Sequence, residues 1–205
     1  MHSILEILEE STDSAGPDLI SLADLKLALG ITDDSQDAQL QAAITFQSRI
    51  IAEYCHRRFG LAEALETFTF DAGETMLTRE ALVLSLYPVV DVHEVSSVGS
   101  AGDYTFDPAS GRLWIGPTSG YGSIAVTYAG GYDLPEQAPA RLARAVIEAI
   151  DESRTSGARD PSIQEVQHGD TRIRYFTSTL SSASSGYLSA PVVDLIKPYR
   201  RLYVA

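Results

Sequence analysis

The apolar residues of this chain change period twice, and that alternation limits the fold more than any other feature. Between residues 21 and 60 they recur at helical steps. From about 66 to 130 they alternate as in strands, and from 139 to 155 the helical step returns. Segregated runs of this kind imply an α+β chain, with helices and an antiparallel sheet in separate regions.

The helical part opens at Ser21, a good N-cap residue with Asp24 three positions on. Leu22, Leu25, Leu27 and Leu29 give this short helix its apolar surface, and Gly30 closes it. A longer helix follows. Asp33, Asp34, Ser35 and Asp37 crowd its start, where the helix dipole favours anions. Leu40, Ile44, Gln47, Ile51 and Tyr54 form a stripe that Ala43 and Ile50 widen; Arg57 and Arg58 fall in the last turn, and Gly60 ends it. Ahead of both helices, Ile4, Leu5 and Leu8 suggest one short helical turn, broken by the Ser-, Gly- and Pro-containing stretch 11–17.

The β part predicts about six short strands. Thr67–Phe70, Leu82–Leu86, Val89–Val98 and Ser123–Tyr128 alternate, and Tyr104–Phe106 with Arg112–Ile115 reads as a hairpin across Asp107–Gly111. The next helix starts after Pro139, with Leu142, Val146, Ala149 and Ile150 on one face and Ala143 and Ile147 extending it; Ser156-Gly157 stops it. A second hairpin pairs Ile163–Gln167 with Thr171–Phe176 across His168-Gly169-Asp170, and a Ser-rich stretch, 177–189, leads to the C-terminal segment.

Composition excludes several function classes. With 44% hydrophobic residues the chain can bury an ordinary core, and no apolar run approaches the ~20 residues a membrane helix needs. Glu6, Glu9 and Glu10 without a nearby cation are the wrong charge for a secretory signal, so synthesis in the cytoplasm is expected. A net charge of −13 opposes sequence-specific DNA binding but suits a surface that DNA slides past. Cys55 stands alone, so no intrachain disulfide or Cys-rich metal site can form, and a small buried residue is its expected role.

No catalytic or metal constellation emerges. His2, His56, His93 and His168 lack ligand spacing, and Asp33, Asp34 and Asp37 lack the alternation, Gly and Glu of a calcium loop. Gly130-Gly131 precedes no phosphate-binding Lys, and Asp103 with Asp107 is the sort of carboxylate pair that turns commonly contain. No enzyme, cofactor or metal is expected. A glycan-binding β module, with Trp114 and tyrosines as a stacking platform, is the alternative reading.

The C-terminal segment 190–205 sets Lys197, Arg200 and Arg201 against Asp194 alone, with Tyr199 and Tyr203 interleaved. It reads equally as a docking element for an acidic partner or as a last helix folded onto its own core.

Three stretches together resemble the head–tail connector (adaptor) family of tailed phages, gp6/gp15-like. They are Ser21–Ile31 with the acidic 32–37 and the long helix ending at Tyr54–Phe59; Val126–Tyr132 running into Pro135 and the helix 139–155; and Val166–Asp170, the Ile173/Tyr175 strand and the closing Val192–Arg201. The resemblance implies a virion structural protein in the phage neck. It would form a dodecameric ring under the portal, pass the DNA channel to a tail-side stopper or neck protein, and act without catalysis or membrane, in an infectious phage or in a domesticated particle such as a prophage or gene transfer agent. It implies a small α-helical bundle with an inserted antiparallel β domain and an extended C-terminal arm. On this scheme 18–62 and 133–157 form the helical adaptor core, 63–132 the β domain, 158–186 the hairpin and Ser-rich linker, and 187–205 the portal-docking arm. The portal-binding residues would be Tyr187, Leu188, Val192, Ile196, Lys197, Pro198, Tyr199, Arg200, Arg201 and Tyr203. The subunit interface would use Gln167, His168, Asp170, Arg172 and Arg174.

Overall fold

A computed structural model describes residues 2–10, 18–70, 81–96, 104–115, 123–157, 165–168, 171–174 and 188–201. The class is α+β, and the chain divides into two compact units. One comprises Met1–Pro17 and Arg57–Gln137, the other Asp18–His56 and Ala138–Ala205.

The first unit is built from strands. β1 (His2–Glu10), β2 (Ala62–Thr69), β7 (Ser123–Gly130) and β4 (Val89–Val95) form an antiparallel sheet in the order β1-β2-β7-β4. β3 (Ala81–Val83), β6 (Arg112–Ile115) and β5 (Tyr104–Asp107) form a smaller one, in the order β3-β6-β5. Strict alternation in β2 sends Ala62, Ala64, Glu66 and Phe68 inward, where they meet Leu82, Leu84, Leu113, Val126 and Tyr128. The first strand corrects an expectation. Ile4, Leu5 and Leu8 belong to no helical turn; they lie in β1, paired along β2 from His2↔Thr69 to Glu10↔Ala62.

Gly130 and Gly131 serve this packing. A Cβ on Gly130 would lie 2.5 Å from the Leu86 carbonyl oxygen, and one on Gly131, at φ 110°, would lie 2.3 Å from that of Gly60. Only glycine allows the backbones so close.

The second unit holds α1 (Leu22–Leu29), α2 (Asp37–Cys55), α3 (Ala140–Gly157), the hairpin β8 (Glu165–His168) and β9 (Thr171–Arg174), and α4 (Ala190–Ile196) with a 3-10 turn, Lys197–Tyr199. α3 packs against α1, α2 and α4. Ser21 caps α1 as expected: its hydroxyl oxygen accepts from the Asp24 N–H at 3.1 Å. Gly30, at φ 68°, ends that helix.

The acidic stretch before α2 places Asp37 in the first turn of the helix but supplies no side-chain cap. Gln36 holds the N-cap position without a side-chain bond. Asp33 instead accepts the Ser35 hydroxyl and N–H, and Lys26 bridges Asp34 and Asp37 at 2.6 and 2.8 Å. The buried seam of α2 is Leu40, Ile44, Ser48, Ile51 and Cys55, so Ser48 and Cys55 replace the expected Gln47 and Tyr54. The helix ends at Cys55, before Gly60, because His56 adopts the left-handed conformation at φ 51°.

Candidate docking surfaces

The C-terminal segment is built onto the helical unit. Ser189 precedes α4 and Pro191 sits in its first turn, where a missing N–H costs nothing. Leu188, Val192 and Ile196 recur at four-residue steps and are buried. Ile196 is further held by the Cys55 thiol, which donates to its carbonyl at 3.8 Å, and the Arg201 N–H donates to the Cys55 carbonyl at 2.8 Å. The extended arm expected here is therefore not what residues 188–201 form: they are a helix and a turn laid on α2 and α3. Leu188, Val192 and Ile196 supply core contacts, because their apolar bodies gain more from burial than from water.

The turn after α4 presents a different surface. Lys197, Pro198 and Arg200 are exposed, while Tyr199 and Arg201 are half-buried. The Arg200 guanidinium lies 5.3 Å from the centroid of the Tyr54 ring, so helix α2 and the tail share one cationic, aromatic edge. Tyr187 and Tyr203 lie outside the described residues.

The expected hairpin forms, but His168 belongs to its strand and not to its loop: Gln167 lies opposite Arg172, His168 opposite Thr171 and Glu165 opposite Arg174. It thereby brings Gln167, His168, Arg172 and Arg174 together on one small ribbon. Asp170 lies outside the described residues.

Charge is divided unevenly between the units. The β unit carries 15 acidic and 4 basic side chains, the helical unit 13 and 11. One of those few cations is not at the surface. Arg57, expected in the last helical turn, instead belongs to the β unit, buried over the Tyr87 ring at 3.6 Å and the Phe59 ring at 4.8 Å, and donating to the Tyr87 carbonyl.

The alternation of β2 concealed a polar centre. Glu66 is fully buried and accepts from the Ser85 N–H at 2.8 Å, the Ser85 hydroxyl at 2.6 Å and the Tyr128 hydroxyl at 2.8 Å. The Tyr128 oxygen accepts in turn from the Leu86 N–H at 3.0 Å. Burial, and then the Glu66 charge, push the Tyr128 hydroxyl far above the ordinary tyrosine range. A glutamate on the buried side of an alternating strand was the available signal. All three donors come from the surrounding core, so the arrangement is a closed structural network.

The remaining polar candidates have structural partners as well. Asp107 accepts from the Ser110 hydroxyl and the Ala109 N–H, as turn residues do, and the first of these bonds holds its carboxyl below the usual range. Trp114 is half-buried in β6, between the buried Leu113 and Ile115. Among the described residues no cluster of three His, Cys, Asp or Glu side chains could hold a metal ion, and no helix is long and apolar enough to cross a membrane.

Residues 19–81 match the family model described as phage gp6-like head-tail connector protein. No curated protein matches the chain. Two solved structures share its fold over nearly the whole length. One is a chain from the neck of an empty gene transfer agent particle computed with C6 symmetry, at 14% identity, TM-score 0.55, covering 98% of this chain and 97% of that one. The other comes from the virion of a native gene transfer agent particle, at 16% identity, TM-score 0.52, with the same coverage. Residues 19–81 are thus similar to a gp6-like head-tail connector protein, and the fold of the whole chain is shared with chains of gene transfer agent particles.

Proposed function

We propose that the chain is a head–tail adaptor, a structural protein of the virion neck that forms a ring under the portal and continues the DNA channel toward the tail. The observation that carries this reading is the match of α1, α2 and β2 to the gp6-like connector model. The shared fold with a gene transfer agent neck protein supports it. The helical unit is the adaptor core and the β unit an insertion within it. The protein works by fitting between other proteins, without catalysis: its own copies in a ring, the portal above and a neck or stopper protein below.

On this reading the portal contact is made by the exposed turn, Lys197, Pro198 and Arg200 with Tyr199 and Arg201 beside them, and by Tyr187 and Tyr203. Leu188, Val192 and Ile196 act behind that surface, by fixing α4. The acid-rich β unit would repel phosphate and let DNA pass without binding.

Electron microscopy of particles made with this chain tests the reading directly, with density for it expected at the head–tail junction. The double variant Lys197→Glu/Arg200→Glu alters exposed positions only. It is expected to remain folded, by circular dichroism, while failing to join portal-bearing heads. A chain absent from the junction ends the adaptor reading; normal incorporation of the variant ends the assignment of the turn.

A further inference from the structure

We propose that the free edge of β1 pairs with β9 of a second copy of this chain, so that neighbouring copies are joined by strand addition. β1 ends the four-stranded sheet. β2 occupies one side of it, and among the described residues no strand pairs with the other. An open edge of 9 residues turns a row of backbone donors and acceptors outward. Proteins commonly blunt such edges with charged side chains, above all lysine, with proline, with bulges or with short length; here the charges are all glutamates, which an arginine-bearing strand would neutralise. His2–Glu10 has neither lysine nor proline and is long, with one irregularity, between Ile7 and Glu9. Leu5 and Ile7 pack on the core of the unit. The opposite face turns Ile4, 63% exposed, and Leu8, 46% exposed, outward on either side of Glu6.

Charge selects the occupant. β1 contains three glutamates and no lysine or arginine. β4, the other edge of the same sheet, contains Asp91 and Glu94, and β5 contains Asp107. Either would set like charges across the new ladder, which is destabilising. β3 offers only three residues, and β8 contains Glu165. β9, Thr171-Arg-Ile-Arg174, has arginines at alternate positions and no acid. Among the described residues it pairs with β8 alone. A contact using β1 of one copy and β9 of the next joins unlike surfaces, and so repeats head to tail and closes as a ring where the rotation permits. The number of copies joined rests on the adaptor reading; the strand pairing does not.

Cys55 is buried, so introduced cysteines report by themselves. Full-length Glu6→Cys chain is mixed with full-length Arg172→Cys chain, and Leu8→Cys with Arg174→Cys, under mild oxidation at low ionic strength. Covalent heterodimer is quantified by mass spectrometry. Heterodimer in excess over both homodimers is expected, rising with concentration; for the Leu8→Cys and Arg174→Cys mixture, which keeps Glu6 and Arg172, it should fall about fivefold in high salt, the worth of one cross-strand charge pair. Heterodimer no more abundant than the homodimers at any concentration overturns the proposal. So does a chain carrying both cysteines that links only within itself, because the occupant would then be its own hairpin. The two readings fail separately. A chain missing from the neck ends the adaptor reading and leaves the cross-link standing, whereas a chain present in the neck without the cross-link ends the strand pairing.

Discussion

Replacing Glu66 removes the one acceptor that three core donors share. In Glu66→Leu the Ser85 N–H, the Ser85 hydroxyl and the Tyr128 hydroxyl each lose the Glu66 carboxylate as acceptor. An orphaned buried donor costs about 1–3 kcal/mol. The two hydroxyls can rotate toward other acceptors, and removing a buried carboxylate recovers its desolvation cost, so the net loss is about 3 kcal/mol. Glu66→Gln keeps a carbonyl oxygen at the same reach, and its amide can donate to the Ser85 hydroxyl. Its cost should be about 1 kcal/mol. The assay is urea unfolding followed by fluorescence of Trp114, the chain's one tryptophan, which lies in β6 of the same unit. With a slope of roughly 2 kcal/mol per molar urea, the leucine variant should unfold about 1.5 M earlier and the glutamine variant about 0.5 M earlier. Equal midpoints for the two variants would refute the reasoning, since they differ mainly in whether an acceptor remains.

Tyr128 gives the same unit an alkaline limit. Its hydroxyl stays protonated in the folded state well above the ~10 at which an unfolded tyrosine ionises, so the folded state binds the extra proton and stability falls as pH rises past that value. Tyr128→Phe should flatten this fall in melts between pH 9 and 11, while lowering stability at neutral pH by about 1–2 kcal/mol through the Leu86 N–H it leaves unpaired. Ile196→Ala opens a cavity at a fully buried position of the helical unit and should cost about 2–4 kcal/mol in chemical denaturation; a change under about 1 kcal/mol would mean that α4 contributes little to that core.

The helical periods and the strand alternation were both legible, because 3.6 and 2 are hard to confuse over long runs. What was misread turned on tertiary partners. The Ile-Leu pairs of His2–Glu10 fit a helix as well as a strand, and the ladder to β2 decides between them. Ser48 lies outside the expected α2 stripe, yet it accepts the buried Leu19 N–H at 3.1 Å; Cys55 is buried as expected and also reaches the tail. Arg57 read as a helix-end cation until His56 ended the helix before it. Glu66 occupies a buried position that its charge argues against, and only the fold supplies its three donors. Of the candidate site, the hairpin was legible from its glycine-containing loop, whereas its register, with His168 paired to Thr171, and the division of the tail into core and surface residues required the structure.

That division changes what the tail can be used for. A freely extended arm could be removed without disturbing the body, so deletion of 187–205 would isolate its docking role. Leu188, Val192 and Ile196 instead fill the helical unit, and the Cys55 carbonyl takes the Arg201 N–H. A deletion would uncover the apolar face of α3 and remove the Arg201 N–H bond to that carbonyl, so the fold would be lost together with any docking role. The exposed turn escapes this coupling. Lys197 and Arg200 project from a scaffold already fixed by the buried residues behind them, so binding a partner there need not meet the entropic cost of ordering the backbone of α4. On the proposed adaptor reading the buried positions of 188–201 set the geometry of the turn and the exposed ones would meet the partner, and only substitutions at the exposed positions can separate the two roles.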